Sequence, residues 1–185
     1  MQHDSKFDEQ QIVQRLKKPS EQRVAFSELV QHFSEPLYWH IRRMVLSHDD
    51  TNDILQNTFI KAWMNIEDFR GESRISTWLY RIAINETLAF LKKRQIETIP
   101  IDSDEYDIAG TIESDAYFCG DSTDILFRKA IETLPEKQRL VFNMKYFEEM
   151  KYEEISDILG TSIGALKASY HIAVKKIEKF IEENN

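Results

Sequence analysis

Arg74, Arg81, Asn85 and Lys92 follow one another at intervals of seven, four and seven residues. On an α-helix, at 100° per residue, that spacing puts all four within about 40° of one line. Trp78 falls beside the line, and the run closes on Lys92-Lys93-Arg94. Cations and an amide along one edge with an indole next to them can hold a phosphate backbone and stack an unpaired base. The same residues also suit a helix whose basic end complements its own dipole and whose tryptophan is core. Spacing alone leaves both readings open.

A second constellation lies near the other end. Ile155, Ile158 and Leu159 are spaced as the buried face of a short helix that stops at Gly160, the residue type best able to turn left-handed past a helix end. Thr161 and Ser162 offer hydroxyl caps for a second helix with Leu166, Tyr170, Ala173, Ile177 and Ile181 on its inward stripe. Lys167, His171, Lys175 and Lys179 then face outward. The pattern reads as a helix-turn-helix, a device for seating a helix in the DNA major groove, although a tight glycine turn also occurs in plain helical bundles.

The elements that must carry these residues are helices. In 185 residues there are only 5 Gly and 4 Pro, and no alternating β-branched run suggests a strand. The chain is expected to be all-α, with two small helical domains joined by an acidic flexible linker. Before the linker, helices are expected near residues 8–17, 20–33, 37–46, 51–66 and 73–94, with the break before residue 37 placed at Pro36. In the fourth, Leu55, Phe59, Ala62, Trp63 and Ile66 form the expected inward stripe, leaving Asp53, Gln56, Asn57, Ile60, Lys61 and Met64 outward. An outward face that mixes Ile60 and Met64 with polar groups suits protein binding, though two exposed apolar residues are also commonplace.

Charge sets the domain boundaries. The net charge is −8, but residues 1–95 hold 14 basic and 13 acidic groups, residues 96–124 hold 0 and 9, and residues 125–185 hold 10 and 10. All the excess acidity sits in the middle tract, where Pro100, Gly110 and Gly120 interrupt any apolar period, so residues 96–124 read as a linker between domains 1–95 and 125–185. As a coil, such a tract spans about 30 Å on average and about 95 Å at full stretch.

Other function classes find little support. His3, His32, His40, His48 and His171 show no ligand spacing, no glycine-rich phosphate loop is present, and Cys119 is the only cysteine. No enzyme activity, metal or cofactor is expected, and Cys119 is expected to be a bystander thiol. With no apolar run longer than four residues, neither a signal peptide nor a membrane span is expected, and the cytoplasm is the expected compartment.

Together these segments resemble the sigma-70 superfamily, and in particular the small extracytoplasmic-function (ECF) sigma factors. The block from Asp49-Asp50-Thr51-Asn52-Asp53 to Ala62-Trp63 is similar to region 2.2, which grips the clamp helices of the RNA polymerase β′ subunit. Phe69-Arg70-Gly71-Glu72-Ser73 through Ser76-Thr77-Trp78 to Asn85 is similar to regions 2.3 and 2.4, which melt and read the promoter −10 element. Leu134-Pro135-Glu136-Lys137-Gln138-Arg139 through the helix-turn-helix is similar to region 4, which reads the −35 element.

The resemblance implies that Asp53, Gln56, Asn57, Ile60 and Lys61 meet core polymerase. It implies that Phe69, Arg70, Gly71, Ser73, Arg74, Trp78, Arg81, Asn85 and Lys92 meet −10 DNA, with a flipped base held by the loop before the long helix. It further implies contacts with the β subunit and an anti-sigma factor, often a membrane protein, as partner. The recognition helix departs from the family pattern, with Ser169, Ile172 and Val174 where arginine is frequent. That leaves Ser162, Ala165, Lys167, Ala168, His171 and Lys175 as the −35 contacts, with fewer cations than usual. The alternative, a free-standing helix-turn-helix regulator, gives the Arg81 stripe and the Asp49 block no role.

Overall fold

The computed structural model describes residues 7–97 and 122–184, and every described element is a helix. The chain divides into two units, Met1–Lys93 and Arg94–Asn185. The first contains α1 (Glu9–Leu16), α2 (Pro19–Val45), α3 (His48–Met64), a 3₁₀ turn at Ile66–Asp68 and most of α4 (Ile75–Glu97), which runs on past Lys93. The second contains α5 (Ser122–Glu132), α6 (Glu136–Tyr146), α7 (Tyr152–Leu159) and α8 (Ile163–Asn184).

Two sequence expectations need correction. The helices expected at 20–33 and 37–46 are one helix, α2, with Pro36 inside it. An internal proline costs about 3 kcal/mol through its lost N–H and its clash with the preceding turn. Against that, Leu29, Phe33, Leu37 and Ile41 continue one buried stripe past the proline, which itself faces solvent. Each buried side chain contributes roughly 1.5–3 kcal/mol, so the packing outweighs the break.

The stripe of α3 is also turned from its expected setting. Thr51, Ile54, Thr58 and Ala62 are buried, Leu55 and Phe59 are half-buried, and Trp63 is 39% exposed. The threonines can go inward because their hydroxyls stay satisfied: Thr51 Oγ1 donates to the Ser47 carbonyl at 2.6 Å and Thr58 Oγ1 to that of Ile54 at 2.8 Å. Thr87 does the same on α4, donating to the Ala83 carbonyl at 2.8 Å.

Local signals place several helix ends. Asp8 caps α1 by accepting from the Gln10 and Gln11 amides, and Ser47 caps α3 by accepting from Asp50. Leu46 ends α2 in a left-handed conformation, φ 67°. In the second unit, Ala130, Ile131, Leu134, Phe142, Ala173 and Ile177 form the core, and Phe142 stacks on both Tyr146 and Tyr170. The ends of the expected linker fall within helices, since α4 runs to Glu97 and α5 starts at Ser122. The tract between them, with Cys119, lies outside the described residues.

Candidate DNA and polymerase surfaces

Helix α4 begins at Ile75, two residues after the expected start, so Arg74 stands at its threshold and its carbonyl accepts the Trp78 amide at 3.1 Å. Arg74, Arg81, Asn85 and Lys92 are all exposed. Trp78 is half-buried beside them, its ring 5.2 Å from that of Phe69 and tilted by 44°. Phe69 is only 8% exposed, so it supports the indole from beneath, while Arg70 and Gly71 sit on the surface and Ser73 is half-buried. Gly71 takes φ 78°, which lets the loop reverse into α4 without the strain a side chain would bring.

On α3, Asp53, Gln56, Asn57, Ile60 and Lys61 are all exposed. They share the helix with Met64, 74% exposed, and with Trp63, whose indole meets the Phe26 ring edge-on at 4.9 Å. Lys61 is tied to α4 by a 2.6 Å ion pair with Glu86. Sequence reasoning set the two helices to separate tasks and missed this link, because partners 25 positions apart leave no periodic signal.

In the second unit, Gly160 ends α7 at φ 63° and its amide donates to the Ser156 carbonyl. At the other end of α7, Glu154 accepts from the Lys151 amide at 2.9 Å. Ser162 then receives the Ala165 amide on its hydroxyl and the Leu166 amide on its carbonyl, which starts α8. Ile155, Ile158, Leu166 and Ala173 are buried, and Ser162, Ala165, Lys167, Ala168, His171 and Lys175 are exposed on α8 and its leading turn.

Tyr152 was not foreseen as part of this surface. Its ring has the Lys167 ammonium 5.7 Å from its centroid and the Lys145 ammonium at 5.2 Å, a cation–π contact on each count. Burial pushes the Tyr152 phenol above its ordinary range. Of the three positions that depart from the family's frequent arginine, only Ile172 is exposed, at 45%; Ser169 is half-buried, and Val174 packs on the core.

A family model for sigma-70 region 2 matches residues 29–96, and one for sigma-70 region 4 matches residues 125–177. The ECF RNA polymerase sigma factor SigW of Bacillus subtilis is 28% identical over 173 residues, covering 86% of this chain and 90% of that protein. The ECF RNA polymerase sigma-E factor of Haemophilus influenzae is 28% identical over 184 residues, covering 94% and 95%.

The chain is an ECF sigma factor of the sigma-70 superfamily.

Among solved structures, this sigma factor has the fold of CnrH, solved in complex with the cytosolic domain of CnrY, with a TM-score of 0.71, 19% identity and coverage of 96% and 99%. It is similar also to the sigma factor RpoE of Bartonella quintana, solved with the anti-sigma factor NepR, with a TM-score of 0.66, 23% identity and coverage of 86% and 98%. The curated relatives are sigma factors, which are not enzymes. Among the described residues no helix of this sigma factor is long and apolar enough to cross a membrane, and no group of three or more His, Cys, Asp or Glu is placed to hold a metal ion.

Proposed function

We propose that this ECF sigma factor divides its work among three helices. The exposed face of α3, Asp53, Gln56, Asn57, Ile60 and Lys61, docks on the β′ clamp helices of core polymerase. The Phe69–Ser73 loop and the α4 stripe of Arg74, Trp78, Arg81, Asn85 and Lys92 melt and hold the −10 element. The leading half of α8, with Ser162, Ala165, Lys167, Ala168, His171 and Lys175, lies on the −35 element. Residues 1–95 act as the region 2 domain, 125–185 as the region 4 domain, and the acidic tract 96–124 as a linker suited to a basic channel of polymerase.

The observation that carries this reading is the α4 stripe, four polar side chains exposed in line beside a half-buried indole. Charge explains why the partner is needed: domains of net +1 and 0 release few counterions on DNA, so affinity must come from polymerase. The protein works in the cytoplasm, where polymerase and promoter are. An anti-sigma protein that covers these faces is the natural repressor, as the two structural relatives are each solved with a bound partner.

Permanganate footprinting of the −10 region with purified core enzyme tests the stripe. Arg81→Ala and Asn85→Ala are expected to keep polymerase binding and to lose reactivity of unpaired thymines. Wild-type reactivity in both variants would refute the assignment of α4.

A further inference from the structure

The region 2 match starts at residue 29, so α1 lies outside it. Yet α1 is firmly tied to its surroundings. Arg15 meets both carboxylate oxygens of Glu28, at 2.6 and 2.8 Å, and just before the helix Phe7 stacks on His32 with ring centroids 3.8 Å apart. This two-point pairing lifts the Arg15 guanidinium and lowers the Glu28 carboxyl from their ordinary values, chiefly through the hydrogen bonds between them.

Held in this way, α1 reaches the loop ahead of α4. Glu9 Oε1 accepts from Ser76 Oγ at 2.9 Å, and Oε2 accepts from the Ser76 amide at 3.5 Å. That amide belongs to the first turn of α4, where a helix has no partner of its own to offer. Glu9 therefore caps α4 from 67 positions away. Between the two elements is a cleft of about 920 Å³, lined by Val13 and Gln14 on the α1 side and by Gly71, Ser73 and Arg74 on the loop side. Its size lies within the range of small-molecule sites, and its lining mixes apolar and hydrogen-bonding groups as a nucleobase requires.

We propose that α1 is the fixed wall of the cleft in which the loop receives a displaced −10 base, and that Glu9 is the positioning residue that sets the distance between the walls. The inference rests on the reading of the Phe69–Ser73 loop, with the start of α4, as the part that holds the −10 element. A base leaving its stack costs a few kcal/mol, and a pocket whose walls must first be ordered returns less of that cost than one already in place. The Glu9–Ser76 contacts put the ordering into the folded protein.

The test uses the full chain on core polymerase and a promoter probe with a single-stranded −10 element, each base replaced in turn by an abasic site. Wild type is expected to lose about tenfold in affinity at one position, within the usual worth of one held base. In Glu9→Ala the loss at that position should fall to about twofold, as the pocket no longer rewards the base. Polymerase affinity should not change. Glu9→Gln keeps an oxygen for the Ser76 hydroxyl and should retain most of the discrimination. Ser76→Ala removes the same hydrogen bond from the other side and should reproduce Glu9→Ala, which keeps the test open if one variant folds poorly. An undiminished abasic penalty in both Glu9→Ala and Ser76→Ala overturns the role of α1. No penalty at any position in wild type overturns the base-pocket reading itself, and this inference with it.

Discussion

Glu132, at the end of α5, has a carboxyl that burial pushes up from 4.5 to about 7, against the pull of Arg139, Arg128 and Lys129. Its Oε2 is buried with no hydrogen-bond partner. Burial also lowers the Arg139 guanidinium from its ordinary value, so both charges resist their surroundings. Between pH 4.5 and 7 the folded chain therefore holds a proton on Glu132 that the unfolded chain has released. Stability from this group is full below about 4.5, declines as pH rises, and levels off above about 7. A rise of this size corresponds to roughly 3 kcal/mol, which solvent reaching a partly buried side chain reduces to about 1–2 kcal/mol. Glu132→Gln keeps the shape and cannot ionise. It should be more stable than wild type by about 1–2 kcal/mol at pH 8 and within about 0.5 kcal/mol of it at pH 4.5. Urea unfolding at several pH values, followed by hydrogen–deuterium pulse labelling of peptides from α5 and α6, measures the difference where it arises. Parallel stability curves for the two proteins would show that burial of Glu132 does not govern its protonation.

Two further outcomes follow from exposed positions. Asn57→Arg on α3 should weaken core association at least tenfold with the helical circular dichroism unchanged, since the side chain is exposed; undiminished affinity in a polymerase pull-down titration would remove α3 from that interface. Ile172→Arg, at the exposed one of the three arginine-poor positions, should tighten binding to unrelated DNA sequences and steepen the dependence of log affinity on log salt by about one. Fluorescence anisotropy with labelled duplexes at three salt concentrations reads both quantities, and an unchanged slope would place Ile172 away from the phosphates.

Legibility in the sequence followed the reach of each interaction. The helix-turn-helix could be read because its determinants are local: a left-handed Gly160 between two stripes of apolar residues at helical spacing. The exposed line on α4 was legible for the same reason. The setting of the α3 stripe is not legible from apolar residues alone, because Thr51 and Thr58 go inward as well, and a hydroxyl bonded to the carbonyl four residues back behaves as a small apolar group. Pro36 was given too much weight, because a local breaker is outvoted when buried side chains continue on both sides of it. Glu9, Glu86 and Tyr152 escaped notice since each acts on a residue of another helix. No single-chain periodicity encodes that.

All three tryptophans of the chain, Trp39, Trp63 and Trp78, lie in the N-terminal unit. Trp63 stands among the exposed residues of α3, and Trp78 lies against the loop and stripe of α4. Indole emission from the unmodified protein therefore arises wholly from the N-terminal unit, while the C-terminal unit's own aromatic signal is that of tyrosine and phenylalanine. Replacing Trp39 and one other by phenylalanine would leave a single native fluorophore on either face. Quenching of Trp63 by a docked protein and of Trp78 by a stacked base could then be timed separately, so the order of the two events can be resolved with no dye attached.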